Sequence, residues 1–278
     1  MQNYILHRAF RFPFRLHVHT HRKGLDNTPT IVFIHGIGAS AIMWDDTIEH
    51  LPKNIGYVSL DLLGFGKSPK PAWSTYNAYQ HAKSLAYTLN RLYHGKPLIV
   101  VGHSLGALVA IEYIKHYNDH VVHALLCSPP FHQPAHNISK KPTKIDDQYR
   151  KLYRYVRNNP EKFLIGYQKT EKYITKLNKG IHITKEIVPS FMKSLEACIE
   201  NQSSLQDVTK LSIPIDIIYG NIDLLLVKRN LKYVAKKNKN VRLHSVPSGH
   251  EINTFFMRKI IKHLAIAVKA YQAPAHPR

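Results

Sequence analysis

The sequence predicts an α/β protein: a mostly parallel, twisted sheet with helices on both faces and a helical stretch inserted between strands. Three observations predict it. Short β-branched runs such as "TIVFIHG" (30–36) and "PLIVVGH" (97–103) lack polar alternation, the pattern of strands buried on both faces. Segments of helical period separate most of these runs. The first part of the chain alternates instead, as an antiparallel strand does.

The elements follow in order. Phe10, Phe12, Phe14, Leu16 and Val18 alternate with Arg11, Arg15 and His17, which predicts a half-buried antiparallel strand or hairpin over 10–18, with Pro13 marking an edge or turn. After 30–36 comes a helix around Met43–Leu51, then the strand "GYVSLD" (56–61) and a helix over Tyr76–Tyr93. Beyond 97–103, the strands "HALLCS" (123–128), "PIDIIYG" (214–220) and "VRLHSVP" (241–247) alternate with helices, and Phe255–Tyr271 is a final amphipathic helix. The stretch 129–208 breaks this rhythm. It carries helical pieces and aromatic bulk (Tyr149, Tyr153, Phe163, Tyr167, Phe191) but no strand pattern, and it divides 1–128 and 209–278 from each other. The tail "APAHPR" is a short low-complexity end.

Function is concentrated in "LIVVGHSLGALVAIEYI" (98–114), where a strand turns into a helix at Gly102-His103-Ser104-Leu105-Gly106. A turn that sharp needs glycines at its flanks, and it lifts Ser104 above the sheet at the positive end of a helix. A serine hydroxyl attacks only when a base takes its proton. Asp223 in "YGNIDLLL" and His250 in "PSGHEIN" each lie just past a predicted strand, where catalytic groups of such sheets gather. The order Ser104, Asp223, His250 is the one this kind of sheet uses. His244 and Asp216 fall inside strands and are poorer candidates. Acyl transfer also needs backbone N–H groups aimed at the developing oxyanion. Leu105, after the nucleophile, and Ile37 in "HGIGAS" (35–40) are placed to supply them.

These segments resemble the α/β-hydrolase superfamily in its lid-bearing, esterase-like branch. The matches are "FIHGIGAS…MW" (33–44), "DLLGFGKS" (61–68), "GHSLG" (102–106), "GNID" (220–223) and "SGH" (248–250), spread over nearly the whole chain. The resemblance implies an α/β-hydrolase core from 1–128 and 209–278 with 129–208 as a helical cap. It implies Ser104 as nucleophile, His250 as base, Asp223 as its orienting carboxylate, and Ile37 and Leu105 as oxyanion donors. Serine at 104 excludes the branches with an acidic nucleophile. The expected activity is hydrolysis of an ester with an apolar acyl group, without cofactor or metal. Thioester, amide, lactone and C–C hydrolysis by the same triad remain open, as does a non-catalytic binding role for the same fold.

Two other patterns compete. Gly36-x-Gly38-x-x-Ala41 after a strand, with Asp61 about 20 residues further on, imitates a dinucleotide fingerprint. That reading, an NAD-dependent oxidoreductase, leaves Ser104, Asp223 and His250 unused. "GFGKS" imitates a P-loop end, but Asp61 stands where the P-loop needs glycine; Asp61, Gly64 and Gly66 read instead as a turn beside the active site. His17, His19 and His21 share one strand face without a neighbouring carboxylate or cysteine, a weak metal pattern.

Composition sets the remaining expectations. The two cysteines, Cys127 and Cys198, form no disulfide framework, and no segment reads as a membrane span or signal peptide, so a cytoplasmic location is expected. The net charge is +21, from 39 Lys and Arg against 18 Asp and Glu. It is densest in 209–278, with 13 basic and 3 acidic residues. Lys228, Lys232 and Lys236 lie at i, i+4 spacing opposite Val227, Leu231 and Val234: a solvated helix face, with weak contact to an anionic surface as the sharper reading. No motif for specific nucleic-acid recognition accompanies the charge.

Overall fold

The computed structural model describes residues 5, 7–9, 12–93, 95–132 and 144–273. Its strands are β1 (Val18–Arg22), β2 (Thr30–Ile34), β3 (Tyr57–Leu60), β4 (Leu98–His103), β5 (Val121–Cys127), β6 (Ile215–Gly220) and β7 (Val241–Val246). They form one sheet in the order β1-β3-β2-β4-β5-β6-β7, parallel except for β1, which runs antiparallel to β3. β2, β4 and β5 are the apolar runs, and β2 and β4 are buried at every residue because helices cover both faces.

The helices are α1 (Asp45–Glu49, led by a 3₁₀ turn at Ala41–Trp44), α2 (Ala78–Tyr93), α3 (Leu105–Tyr117), α4 (Lys144–Asn158), α5 (Pro160–Leu177), α6 (Val188–Ser194), α7 (Ser204–Asp207), α8 (Lys228–Lys237) and α9 (Thr254–Gln272). Successive strand residues point to opposite faces and so sort the core in two. Val32, Val100, Leu126 and Ile217 pack with Leu85 of α2, Leu108 and Ile111 of α3 and Leu231 of α8. Ile31, Phe33, Val101, Leu125 and Ile218 pack with Ile48 of α1 and Phe256, Ile260 and Leu264 of α9. Each such aliphatic or Phe side chain contributes roughly 1.5–3 kcal/mol by leaving water. Asn253 caps α9 by accepting from Phe255 and Phe256 N–H. In α8, Leu231 and Val234 are buried while Lys228, Lys232 and Lys236 are exposed. No helix among the described residues is long and apolar enough to cross a membrane.

One element differs from expectation. The antiparallel strand is not 10–18 but 18–22; Phe10 and Arg11 lie outside the described residues, and 12–17 is irregular. The reason is where the backbone groups go: Leu16 N–H donates to Thr88 Oγ1 and His17 N–H to Ser68 Oγ, side chains rather than a neighbouring strand. His17 and His19 do not converge on one site, since His17 pairs with Asp61 and His19 with Asp45. Of the tail "APAHPR", 274–278 lies outside the described residues.

Between β5 and β6 run α4 to α7 and a π-helical turn, Leu195–Glu200. They are fastened over the C-terminal ends of the strands. Ser190 Oγ donates to Gly64 O at 2.6 Å and His182 N–H to Gly38 O at 3.2 Å. Gln202 Nε2 donates to Pro130 O at 2.9 Å.

Candidate active site

The sheet order reverses at β2: the chain goes to β3 on one side and then to β4 on the other. Loops at such a switch part and leave a crevice at the strand ends. Ser104 sits there, between β4 and α3, with φ +52°, its N–H held by Cys127 O at 2.9 Å. The close approach explains both flanking glycines. A Cβ on Gly102 would lie 2.4 Å from Gly106 O, and one on Gly106 2.4 Å from Ile34 O.

His250, after β7, reaches Ser104 Oγ with Nε2 at 2.9 Å and Asp223 Oδ2 with Nδ1 at 2.8 Å. An ionised carboxylate only accepts, so the proton sits on Nδ1 and Nε2 is free to accept from the serine. Asp223 is buried, which pushes its carboxyl pKa up; hydrogen bonds from His250 and from Leu225 N–H outweigh this and hold it below the ordinary value. Ile37, the other sequence-predicted position, lines the same cavity as Ser104 and His250, and Leu105 opens α3 directly after Ser104.

Sequence reasoning missed the residues that hold this arrangement. His35 is fully buried; Leu62 N–H donates to its Nε2 at 2.8 Å, so its Nδ1–H donates to Gly36 O at 2.7 Å. It thereby ties the loop before Ile37 to the loop after β3. Burial keeps its pKa below the ordinary value, which preserves that neutral tautomer. His103 donates Nε2–H to His250 O at 2.8 Å. Burial, then the neighbouring His250, pushes the His103 pKa down to about 3, so it stays neutral beside His250. Asp61 accepts from Ala41 N–H and Lys67 N–H, both at 2.8 Å. Gly64 and Gly66 adopt φ +85° and +49° in the turn beside it. A Cβ on Gly66 would stand 2.3 Å from Asp61 Oδ2. Asp61 is buried and its oxygens hold this turn together, a setting unlike the exposed ribose contact that the dinucleotide reading needs.

A cavity of about 650 Å³ opens from Ser104. Its walls are predominantly apolar, with Tyr153, Val156, Phe163, Ile174, Phe191 and Leu195 from α4 to the π turn facing Ile37, His103 and His250. Phe163 and Phe191 pack at 4.8 Å between ring centroids, and Gly38 leaves room for Phe191, 3.0 Å from where its Cβ would be.

A second His–Asp group lies on the α9 side of the sheet. Asp216 is fully buried within β6 and receives Arg242 on both oxygens (2.9 and 3.0 Å), His123 at 2.8 Å and His244 at 2.7 Å. His263 of α9 adds a contact at 3.5 Å. Asp216, His244 and His263 are a donor set of the kind that holds a metal, with ligand atoms within 4.8 Å of one another. The guanidinium already neutralises the carboxylate, so the set reads as an ion-pair network.

A serine on a strand–helix elbow, a histidine and an aspartate past two later strands, and helices over them are the arrangement that the α/β hydrolase fold builds. Residues 29–172, more than half of the chain, match the family model for the α/β hydrolase fold, and the chain belongs to that family. The chain is 34% identical over 103 residues to "Probable lysophospholipase BODYGUARD 4" of Arabidopsis thaliana, covering 36% of this chain and 25% of the relative. It is 33% identical over 97 residues to a coelenterazine h 2-monooxygenase of Renilla reniformis, covering 34% and 31%. These matches span about a quarter to a third of the relatives' length. A thermophilic esterase from Thermogutta terrifontis superposes with a TM-score of 0.72 at 17% identity, over 93% of this chain and 94% of that one. At that identity the likeness is one of fold.

Proposed function

We propose that this chain hydrolyses carboxylic esters with an apolar acyl group through an acyl-enzyme. Ser104 Oγ attacks the carbonyl carbon while His250 Nε2 takes its proton. Asp223 keeps the imidazole in the required tautomer and stabilises the imidazolium. The N–H groups of Ile37 and Leu105 hold the oxyanion, and His250 then returns the proton to the leaving alcohol. Water, deprotonated by the same nitrogen, releases the acid and restores Ser104. Residues 129–208 serve as the cap that supplies the acyl-binding wall, and 1–128 with 209–278 as the core. No step calls for a metal or cofactor.

The observation that carries this reading is the relay of 2.8 and 2.9 Å from Asp223 through His250 to Ser104, opening on an apolar cavity of about 650 Å³. The likeness to a probable lysophospholipase supports an ester as the bond cleaved. The test is hydrolysis of p-nitrophenyl esters of increasing acyl length. The expected result is a KM that falls with chain length and activity lost in Ser104→Ala. Equal turnover by Ser104→Ala would overturn the reading.

A further inference from the structure

Next in sequence to residues that line this cavity are apolar side chains exposed to solvent. Leu224 is 83% exposed and Ile222 68%, on either side of the buried Asp223. On α4, Leu152 is 49% exposed and Tyr155 57%. The two segments meet, since Tyr149 O–H donates to Leu224 O. Leu152 and Leu225 line the cavity as well, so the exposed patch is continuous with its wall. Apolar side chains gathered at the entrance of an apolar cavity mark an interaction site rather than scattered surface leucines.

The charge around the patch selects the partner. Residues 144–179 hold ten Lys and Arg against four Asp and Glu. On α4, Lys151 and Arg154 are exposed, on the side of the helix next to Tyr155. Lys162 stands in the cavity lining, and Lys228 and Arg229 are exposed at the end of the 222–227 loop. A helix with an apolar edge beside exposed cations is the form that lies in a lipid–water interface, where burial and attraction to anionic headgroups add. A second copy is a poor partner, because each chain brings a net charge of +21.

We propose that the surface formed by α4 and the 222–225 loop docks on an anionic lipid bilayer, with the cavity mouth against the membrane so that an acyl chain passes from lipid to Ser104 without crossing water. This face is distinct from the outer lysines of α8, Lys232 and Lys236. Docking goes beyond the hydrolytic reading and does not need turnover, so it is measured in the Ser104→Ala protein.

The experiment is co-sedimentation of the Ser104→Ala protein, residues 1–278, with phosphatidylcholine vesicles, with and without phosphatidylglycerol. Binding to the anionic vesicles is expected, with little binding to the neutral ones. Each cation near the surface is worth about fivefold, so adding Lys151→Gln and Arg154→Gln lowers the affinity by at least about tenfold. Leu224→Ser with Tyr155→Ser lowers it by about tenfold. All four side chains are solvent-exposed, and an unchanged circular dichroism melt checks the fold. Absence of binding, equal binding to both vesicle types, or loss only in a Lys232→Gln, Lys236→Gln variant overturns the proposal. A concentration-dependent dimer that Leu224→Ser dissolves overturns it too, in favour of self-association. Failure of ester hydrolysis in the wild type with vesicle binding intact would count against the catalytic reading alone.

Discussion

Strand β6 carries one buried aspartate inside it and another just past its end, and their surroundings differ. Both Asp216 and Asp223 meet histidines, and hydrogen bonds hold both carboxyls below their ordinary pKa against the upward push of burial. Around Asp216 both oxygens are taken by Arg242, and three histidines from β5, β7 and α9 surround it. Around Asp223 a single histidine uses one nitrogen for the carboxylate and turns the other to Ser104, which lines a cavity. A His–Asp contact therefore does no chemistry by itself. What distinguishes the second is a ring nitrogen turned to a serine hydroxyl beside a cavity, on which the proposed catalytic role rests.

Substitutions that exchange these features break the comparison. Ser104→Ala or His250→Ala lowers kcat for an ester on the order of 10⁶-fold, as loss of a concerted unit does. Asp223→Asn leaves the fold and lowers kcat about 10⁴-fold, because an amide does not enforce the tautomer. Asp216→Asn does the reverse: it destabilises the chain by about 3 kcal/mol in urea titration and leaves kcat per folded molecule unchanged. Arg242→Gln costs less, about 1 kcal/mol, since His123 and His244 still bond the carboxylate and the lost guanidinium is half in water.

Acid separates the two regions further. The unfolded chain protonates His81 and His103 below their ordinary value of 6.5, whereas burial in the folded chain keeps both neutral down to about 3. Unfolding stability therefore declines as pH falls through that window. Below about pH 4 the depressed Asp216 adds a second loss, because the unfolded chain takes up that proton first. Urea midpoints measured from pH 7 down to about 3 follow this slope, and Asp216→Asn removes only the part below about pH 4.

Much of the site was legible because its chemistry is tied to backbone geometry. The glycines at 102 and 106 are forced by contacts under 3 Å, and a serine between them at a strand–helix junction follows from the local pattern alone. Asp223 and His250, which meet in the structure, could be picked out as candidates because strand ends are marked by apolar runs breaking at Gly and Asn. Strand β1 was misplaced because alternation tells which side chains are apolar, not which N–H groups find a strand; those of Leu16 and His17 find hydroxyls. The Asp216 network joins four elements far apart in sequence, so no spacing announces it. One signal was available: an aspartate inside the apolar run "PIDIIYG" must have a buried partner. The roles of His35 and His103 rest on tautomers that only their three-dimensional partners reveal.

The central claim is that the serine–histidine–Asp223 group activates Ser104 and the Asp216 group does not. Its most direct test is the rate at which a fluorophosphonate probe labels wild type, Ser104→Ala, Asp223→Asn and Asp216→Asn, with the adduct located by peptide mass spectrometry. The account predicts one adduct on the Ser104 peptide, formed at the same rate in wild type and Asp216→Asn, severely slowed in Asp223→Asn and absent in Ser104→Ala. Labelling that persists in Ser104→Ala, or that is slowed equally by the two aspartate substitutions, would contradict it.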